Sequence, residues 1–135
     1  MLTTKCIHPE IIAALAHAGH GDKLLIADGN FPLQMKCPNS KLVYLGLERD
    51  LPTVPQVLEA LKSIAVFEKA EVMMPESGEE PEIFSQFRTE LNGMELSPLG
   101  RYEFYDVCGK ADVILAIATG ESRTYANLLL TVGVC

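Results

Sequence analysis

The segment Val113-Ile114-Leu115-Ala116-Ile117-Ala118 decides the fold, and no apolar run in the chain is longer. A strand with one face in water alternates apolar and polar residues, whereas a continuous apolar run is typical of a strand that is covered on both faces. Six residues are also far too few to cross a bilayer. The segment therefore predicts an inner strand of a parallel sheet with helices packed on both sides.

Helical and strand-like patterns alternate on either side of this segment. The other predicted strands are Lys23–Asp28, Leu42–Leu45, one within Val66–Met74, Met94–Leu96 and Leu128–Val132. Four helices are predicted. The first starts at His8-Pro9-Glu10 and ends before Gly19 and Gly21, the second and third cover Val54–Ile64 and Ile83–Leu91, and the fourth covers Glu103–Gly109 with Arg101 at its entrance. Phe31–Ser40 is predicted to be a loop. A length of 135 residues suits one domain. We therefore expect residues 1–135 to form a single-domain layered α/β fold with a mainly parallel sheet flanked by helices.

Composition limits the classes of partner. The chain has 11 basic and 18 acidic residues, a formal charge of −7, and such a surface repels phosphate backbones and anionic lipid. We expect no nucleic acid and no membrane as partner, and a neutral substrate. The four cysteines form no C-x-x-C pair, and the first eight residues lack an apolar leader. We therefore expect reduced thiols in a cytoplasmic protein.

Polar, turn-rich segments follow three of the predicted strands, after Asp28, Met74 and Ala118. In open α/β sheets, ligands bind at the carboxyl ends of the strands. The loop after Ala118 carries Glu121 and then Tyr125-Ala126-Asn127, which supply a carboxylate, a phenol and an amide. These groups can bind several hydroxyls at once, although Asn and Tyr are also common in ordinary loops.

A histidine and a carboxylate bracket the first predicted strand, in Gly19-His20-Gly21-Asp22 and in Asp28-Gly29-Asn30-Phe31-Pro32. Histidine is the side chain suited to moving protons near neutral pH, so His20 and Asp28 could form a general acid/base pair. The alternative is a helix-capping histidine and a turn-forming aspartate, and the pattern alone does not decide between them. His17 and His20 could share a metal with Asp22 or Asp28, but this spacing is not a zinc signature. The glycines do not form a phosphate-binding loop either, because they precede a strand.

Four ordered motifs make the chain resemble the fucose mutarotase and ribose pyranase (RbsD/FucU) family from end to end. The motifs are Gly19-His20-Gly21-Asp22, Asp28-x-x-Phe31-Pro32, Arg101-x-x-Phe104-Tyr105, and Gly120-Glu121 followed by Tyr125-x-Asn127. The resemblance implies an RbsD-like fold and a homo-oligomer, often a decameric ring, with active sites near subunit interfaces. It also implies that His20 is the catalytic proton donor and that no cofactor or metal is required. The substrate-binding residues that it implies are Asp28, Arg101, Tyr125, Ala126 and Asn127.

Arg101 and Val72-Met73-Met74 are similar to the fucose branch of that family. The chain departs from this branch at Asn30 and Ala126, where the branch often has His and Gly. The resemblance thus implies an L-fucose mutarotase that interconverts the α and β anomers. The alternatives are a D-ribose pyranase and a sugar-binding accessory protein of uptake that catalyses nothing.

Overall fold

The computed structural model describes residues 1–135, and helices alternate with strands along most of the chain. The elements are α1 (Pro9–His17), β1 (Lys23–Ala27), α2 (Leu33–Lys36), β2 (Lys41–Tyr44), α3 (Val54–Leu61), β3 (Phe67–Met73), α4 (Ile83–Glu90), β4 (Leu96–Leu99), α5 (Arg101–Cys108), β5 (Val113–Ala118) and β6 (Leu128–Val132). The strands form one six-stranded sheet in the order β2-β5-β1-β6-β3-β4. The layered α/β fold with a mainly parallel sheet is confirmed.

Strand β5 lies inside the sheet, parallel to both of its neighbours, β2 and β1. Its side chains divide between the two faces, because Leu115 and Ile117 belong to one apolar cluster and Val113 and Ala116 to the other. The first cluster is covered by α1, α3 and α4, and the second by α2 and α5. The prediction that the apolar segment is covered on both faces is therefore confirmed. Truncating such a leucine or isoleucine to alanine costs about 2–5 kcal/mol.

Strand β6 runs antiparallel to both of its neighbours, β1 and β3. Its first residue, Leu128, pairs with Ile26 near the end of β1 and with Val72 near the end of β3. The residues that precede β6 therefore lie at the same edge of the sheet as the carboxyl ends of the parallel strands. We call this edge the carboxyl edge and the opposite one the amino edge.

Several predicted element boundaries differ from the structure by one to three residues, and one helix was predicted as loop. The predicted loop Phe31–Ser40 contains the short helix α2, because Leu33 to Lys36 are good helix formers and Pro38 stops the helix soon after one turn. Strand β4 is Leu96–Leu99 rather than Met94–Leu96; it lies at the edge of the sheet, where a proline such as Pro98 is tolerated. Helix α5 begins at Arg101 itself.

Helix α1 begins as the sequence predicts. The Nδ1 atom of His8 accepts a hydrogen bond from the backbone N–H of Ile11 at 3.4 Å, and Pro9 occupies the first turn. The helix ends at His17, and Gly21 follows with a φ of 92°, a conformation that favours glycine. None of the helices combines the length and the hydropathy that a membrane span requires. All four cysteines are free thiols.

Candidate functional site

A cleft of about 220 Å³ opens at the carboxyl edge. This volume is below the roughly 300–1,000 Å³ of pockets for drug-sized ligands, so the cleft suits a small molecule. Its lining residues are Asp28, Asn30, Phe31, Met73, Arg101, Tyr105, Thr124, Tyr125 and Asn127. The structure thus brings together four of the residues predicted from the sequence, and it does so at the kind of edge where α/β sheets bind ligands.

Asp28 lines the cleft and follows the last residue of β1. Only 4% of the residue is exposed. Its Oδ1 accepts the backbone N–H of Asn30 at 2.9 Å, and its Oδ2 accepts the side-chain Nδ2 of Asn127 at 3.2 Å. Burial raises the pKa of the Asp28 carboxyl, and hydrogen bonds from the backbone and from Asn127 oppose that rise only in part.

Asn127 and its two predecessors enter the site from the start of β6. The Oδ1 atom of Asn127 accepts the backbone N–H of Asp28 at 2.8 Å, so the amide holds both the main chain and the side chain of that residue. Tyr125 lines the cleft with a φ of 60°, which is rare for a residue other than glycine. Ala126 is fully buried, and a hydrogen bond from its backbone opposes part of the rise in the pKa of Asp28. Its methyl group belongs to the apolar core rather than to the cleft.

An aromatic wall with a cation at its rim closes another side of the cleft. The rings of Phe31 and Tyr105 meet edge to face, with centroids 5.4 Å apart. Nε of Arg101 donates to the Tyr105 hydroxyl at 3.4 Å, and this contact raises the pKa of the guanidinium. Lys36 lies on the same ring, with Nζ 4.9 Å from the centroid. The wall combines an apolar surface with donors for hydroxyl oxygens.

His20 lies far from this cleft within one chain. It precedes β1, whereas Asp28 follows it, and a five-residue strand spans roughly 16 Å at 3.3 Å per residue. The His20 side chain is 58% exposed at the amino edge, where Nε2 lies 2.9 Å from Oε1 of Glu68. The interpretation of His20 and Asp28 as a pair lining one pocket is therefore wrong for a single chain. The two residues are close in sequence, but they flank a strand that runs from one edge of the sheet to the other.

The side chains that line the cleft offer hydrogen bonds and one positive charge, and they do not form a metal-binding site. No three His, Cys, Asp or Glu side chains lie close enough together to hold a metal ion. A buried carboxyl group, two amides, two phenols and a guanidinium line the cleft. Such a set can bind several hydroxyls of a neutral polyol and exchange a proton with one of them.

Sequence reasoning missed Met73 and Thr124 as lining residues, and it did not assign a role to Tyr105. Met73 ends β3, so the rule that ligands lie at carboxyl ends could have identified it. Thr124 had no signal beyond its position beside Tyr125. Tyr105 follows Arg101 by one helical turn, and side chains with this spacing share a helix face.

Comparison with known proteins agrees with this geometry. The family model described as the RbsD / FucU transport protein family matches residues 1–135. The fucose mutarotase of Mus musculus is 33% identical over 143 residues, which cover 96% of this chain and 90% of that protein. The D-ribose pyranase of Bacillus cytotoxicus is 32% identical over 129 residues, which cover 95% and 94%.

A solved structure agrees over the whole chain. Bacillus subtilis RbsD complexed with D-ribose has a TM-score of 0.86 and 25% identity, and the match covers 100% of this chain and 99% of that one. Family model, sequence relatives and fold give the same result. The chain belongs to the RbsD / FucU transport protein family.

Proposed function

We propose that this protein is a monosaccharide isomerase, an L-fucose mutarotase that interconverts the α and β anomers in the cytoplasm. The observation that carries the proposal is the cleft at the carboxyl edge, where Asp28, Arg101, Tyr125 and Asn127 surround a space that suits a single sugar. The similarity to a fucose mutarotase over 96% of the chain supports the reaction class.

The reaction is a reversible opening of the sugar ring. One group removes the proton of the anomeric hydroxyl, another protonates the ring oxygen, and the bond between the anomeric carbon and the ring oxygen breaks to give the open-chain aldehyde. Closure on the other face of the carbonyl reverses both proton transfers. General acid/base catalysis of this kind contributes about 10²–10⁴-fold, and the protons return to where they began.

Each residue of the cleft has a role that suits its chemistry. Asp28 accepts a sugar hydroxyl and is held in place by Asn127. Arg101, Tyr125 and Asn127 bind the remaining hydroxyls. Ala126 acts through the hydrogen bond of its backbone with Asp28. Phe31 offers its ring to an apolar face of the sugar. No step requires a cofactor or a metal.

His20 serves as proton donor from a second copy of the chain in this proposal. The residue is exposed at the amino edge and cannot reach Asp28 of its own chain across the length of β1. A homo-oligomer, in this family often a decamer, joins the amino edge of one subunit to the cleft of the next. The exposed apolar side chains of Met35, Tyr44 and Leu47 support such an interface, and the first two line a second cleft that shares Asp28 and Phe31 with the first.

The second candidate is a D-ribose pyranase, favoured by the similarity to such an enzyme at 32% identity. The same ring opening would then convert pyranose into furanose. Exchange NMR on equilibrated L-fucose and D-ribose separates the two candidates, because the method reports directly how fast the forms of each sugar interconvert. We expect the larger acceleration with L-fucose; a larger acceleration with D-ribose would replace the first candidate by the second. Binding without acceleration of either sugar would favour the accessory role.

A further inference from the structure

We propose that Glu121 and Arg123 are positioning residues, which hold the loop from Thr119 to Asn127 so that Tyr125 and Asn127 face the sugar. This inference rests on the proposed function, since it concerns the same cleft. Neither residue lines the cleft, so any effect on the sugar passes through the loop.

The two side chains form an ion pair between a half-exposed guanidinium and a buried carboxylate whose oxygens are fully hydrogen-bonded. The side chain of Glu121 is 0% exposed. Nε of Arg123 donates to Oε1 at 2.7 Å and Nη2 donates to Oε2 at 2.9 Å, which is the two-pronged geometry of a strong arginine–carboxylate contact. The backbone N–H groups of Arg123 and Val54 complete the set, each at 3.2 Å. Four donors thus meet the two carboxylate oxygens.

Glu121 keeps its charge despite its burial. Burial alone would raise the pKa of the Glu121 carboxyl, but the hydrogen bonds from Arg123 and from the backbone outweigh it, and the pKa lies below its ordinary value. A buried carboxylate that lost its arginine would be an uncompensated charge. The Glu121 carboxylate is therefore charged at neutral pH and can hold the Arg123 guanidinium by charge as well as by hydrogen bonds.

The pair joins the loop to three separate parts of the fold. Val54 begins α3, and the donor Nη1 of Arg123 reaches Oε1 of Gln86 on α4 at 3.1 Å. The backbone carbonyl of Glu121 accepts the N–H of Gly29 at 2.8 Å, directly after Asp28. Glu121 therefore contacts the segment that carries Asp28 as well as the loop that carries Tyr125.

The loop needs such an anchor because of its backbone conformation. Tyr125 follows Arg123 by two residues and has a φ of 60°. Non-glycine residues stay in this region only where the surroundings over-determine them. We infer that the ion pair supplies that constraint, and that its loss lets Tyr125 relax out of the cleft.

Three variants test the inference: Glu121→Gln, Arg123→Met and the double variant. A displacement of about 1 Å at a binding group can cost about 10²-fold in rate, so we expect kcat/KM for L-fucose to fall by about 10- to 100-fold in Glu121→Gln, mainly through KM. Arg123→Met leaves the Glu121 charge buried and should be the least stable. The double variant removes both charges and should recover stability without recovering KM.

This pattern distinguishes positioning from a purely structural role. A structural role would restore KM together with stability, so a double variant that is as stable as the wild type and has the wild-type KM would overturn the inference. The matched control is Arg88→Met, which breaks the exposed ion pair with Glu80 and should leave KM unchanged.

A second readout keeps the inference separate from the proposed function. The ring resonances of Tyr125 in the sugar-free protein should shift in Glu121→Gln and stay in place in Arg88→Met. If the unaltered chain exchanges neither sugar, the proposed function fails, and these resonances still decide whether the pair positions the loop. Unchanged Tyr125 resonances in Glu121→Gln would refute the positioning role.

Discussion

Asn127 holds Asp28 by two hydrogen bonds that connect the start of β6 to the end of β1. Its Oδ1 accepts the Asp28 backbone N–H at 2.8 Å, and its Nδ2 donates to Asp28 Oδ2 at 3.2 Å. Both residues are buried. The contact bridges 99 positions of sequence, and it sets the direction in which the carboxyl group faces the cleft.

Replacing Asn127 by alanine should therefore affect stability and sugar binding together. The change leaves the buried N–H of Asp28 without a partner, which costs about 1–3 kcal/mol. We expect a loss of that size in the free energy of unfolding, measured with urea, and a weaker affinity for L-fucose in an NMR titration. Asn39→Ala is the matched control, because Asn39 is exposed and its Nδ2 donates to Gly109, away from the cleft. Equal losses in the two variants would refute the role given to Asn127.

The raised pKa of Asp28 predicts a specific dependence of stability on pH. Its folded-state pKa lies above the ordinary value of 3.8, so the native state holds this proton more tightly than the unfolded chain does. The stabilisation is fully present below pH 3.8 and is lost as the pH rises through the folded-state pKa. The free energy of unfolding of Asp28→Asn minus that of wild type should therefore increase as pH rises across this window. A difference that stays constant with pH would contradict the assignment.

Gly120 has no room for a side chain. A Cβ atom there would lie 2.3 Å from the Glu48 carbonyl oxygen and 2.9 Å from both the backbone N and O of Leu51. Because all three obstacles are backbone atoms, Gly120→Ala must shift the loop that precedes Glu121. We expect a loss of about 1–3 kcal/mol in unfolding free energy and weaker sugar binding. Gly100→Ala is the control for stability, since nothing lies within 4 Å of its Cβ position; a similar loss in that variant would show that close contact is not the cause.

Much of the fold follows from local patterns. The continuous apolar run of β5 indicates cover on both faces, and the polar breaks after β1, β3 and β5 locate the edge where the cleft lies. Asp28, Arg101, Tyr125 and Asn127 were all predicted from motifs, and they meet because strand ends meet at one edge. Helix α2 was missed because Phe31–Ser40 contains two prolines, and the helix fits between them.

The separation of His20 from Asp28 is not evident from spacing alone. Two residues eight positions apart can meet where the chain between them turns back, but a strand between them carries them to opposite edges of the sheet. The ion pair between Glu121 and Arg123 was also not predicted, since burial of a carboxylate depends on the whole surrounding fold and not on its neighbours in sequence.

His20→Ala should abolish anomer exchange while leaving the fold intact. The side chain is exposed, and its contact with Glu68 lies at the surface, where such contacts are worth about 0–1 kcal/mol. We expect an unfolding free energy within that range of wild type and a loss of about 10²-fold or more in exchange rate. Wild-type exchange in a well-folded His20→Ala protein would remove His20 from the mechanism.

The most direct test of a site shared between two copies is exchange NMR on L-fucose with His20→Ala and Asp28→Asn chains co-expressed in equal amounts. Each variant alone should be inactive. In a mixed symmetric oligomer, a shared site is intact when the chain that supplies His20 carries Asp28→Asn and the chain that supplies Asp28 carries His20→Ala. We predict recovery of about a quarter of the wild-type exchange rate, because each of the two chains that form a site is the suitable variant in about half of the cases. No recovery in oligomers shown to contain both chains would contradict the shared site.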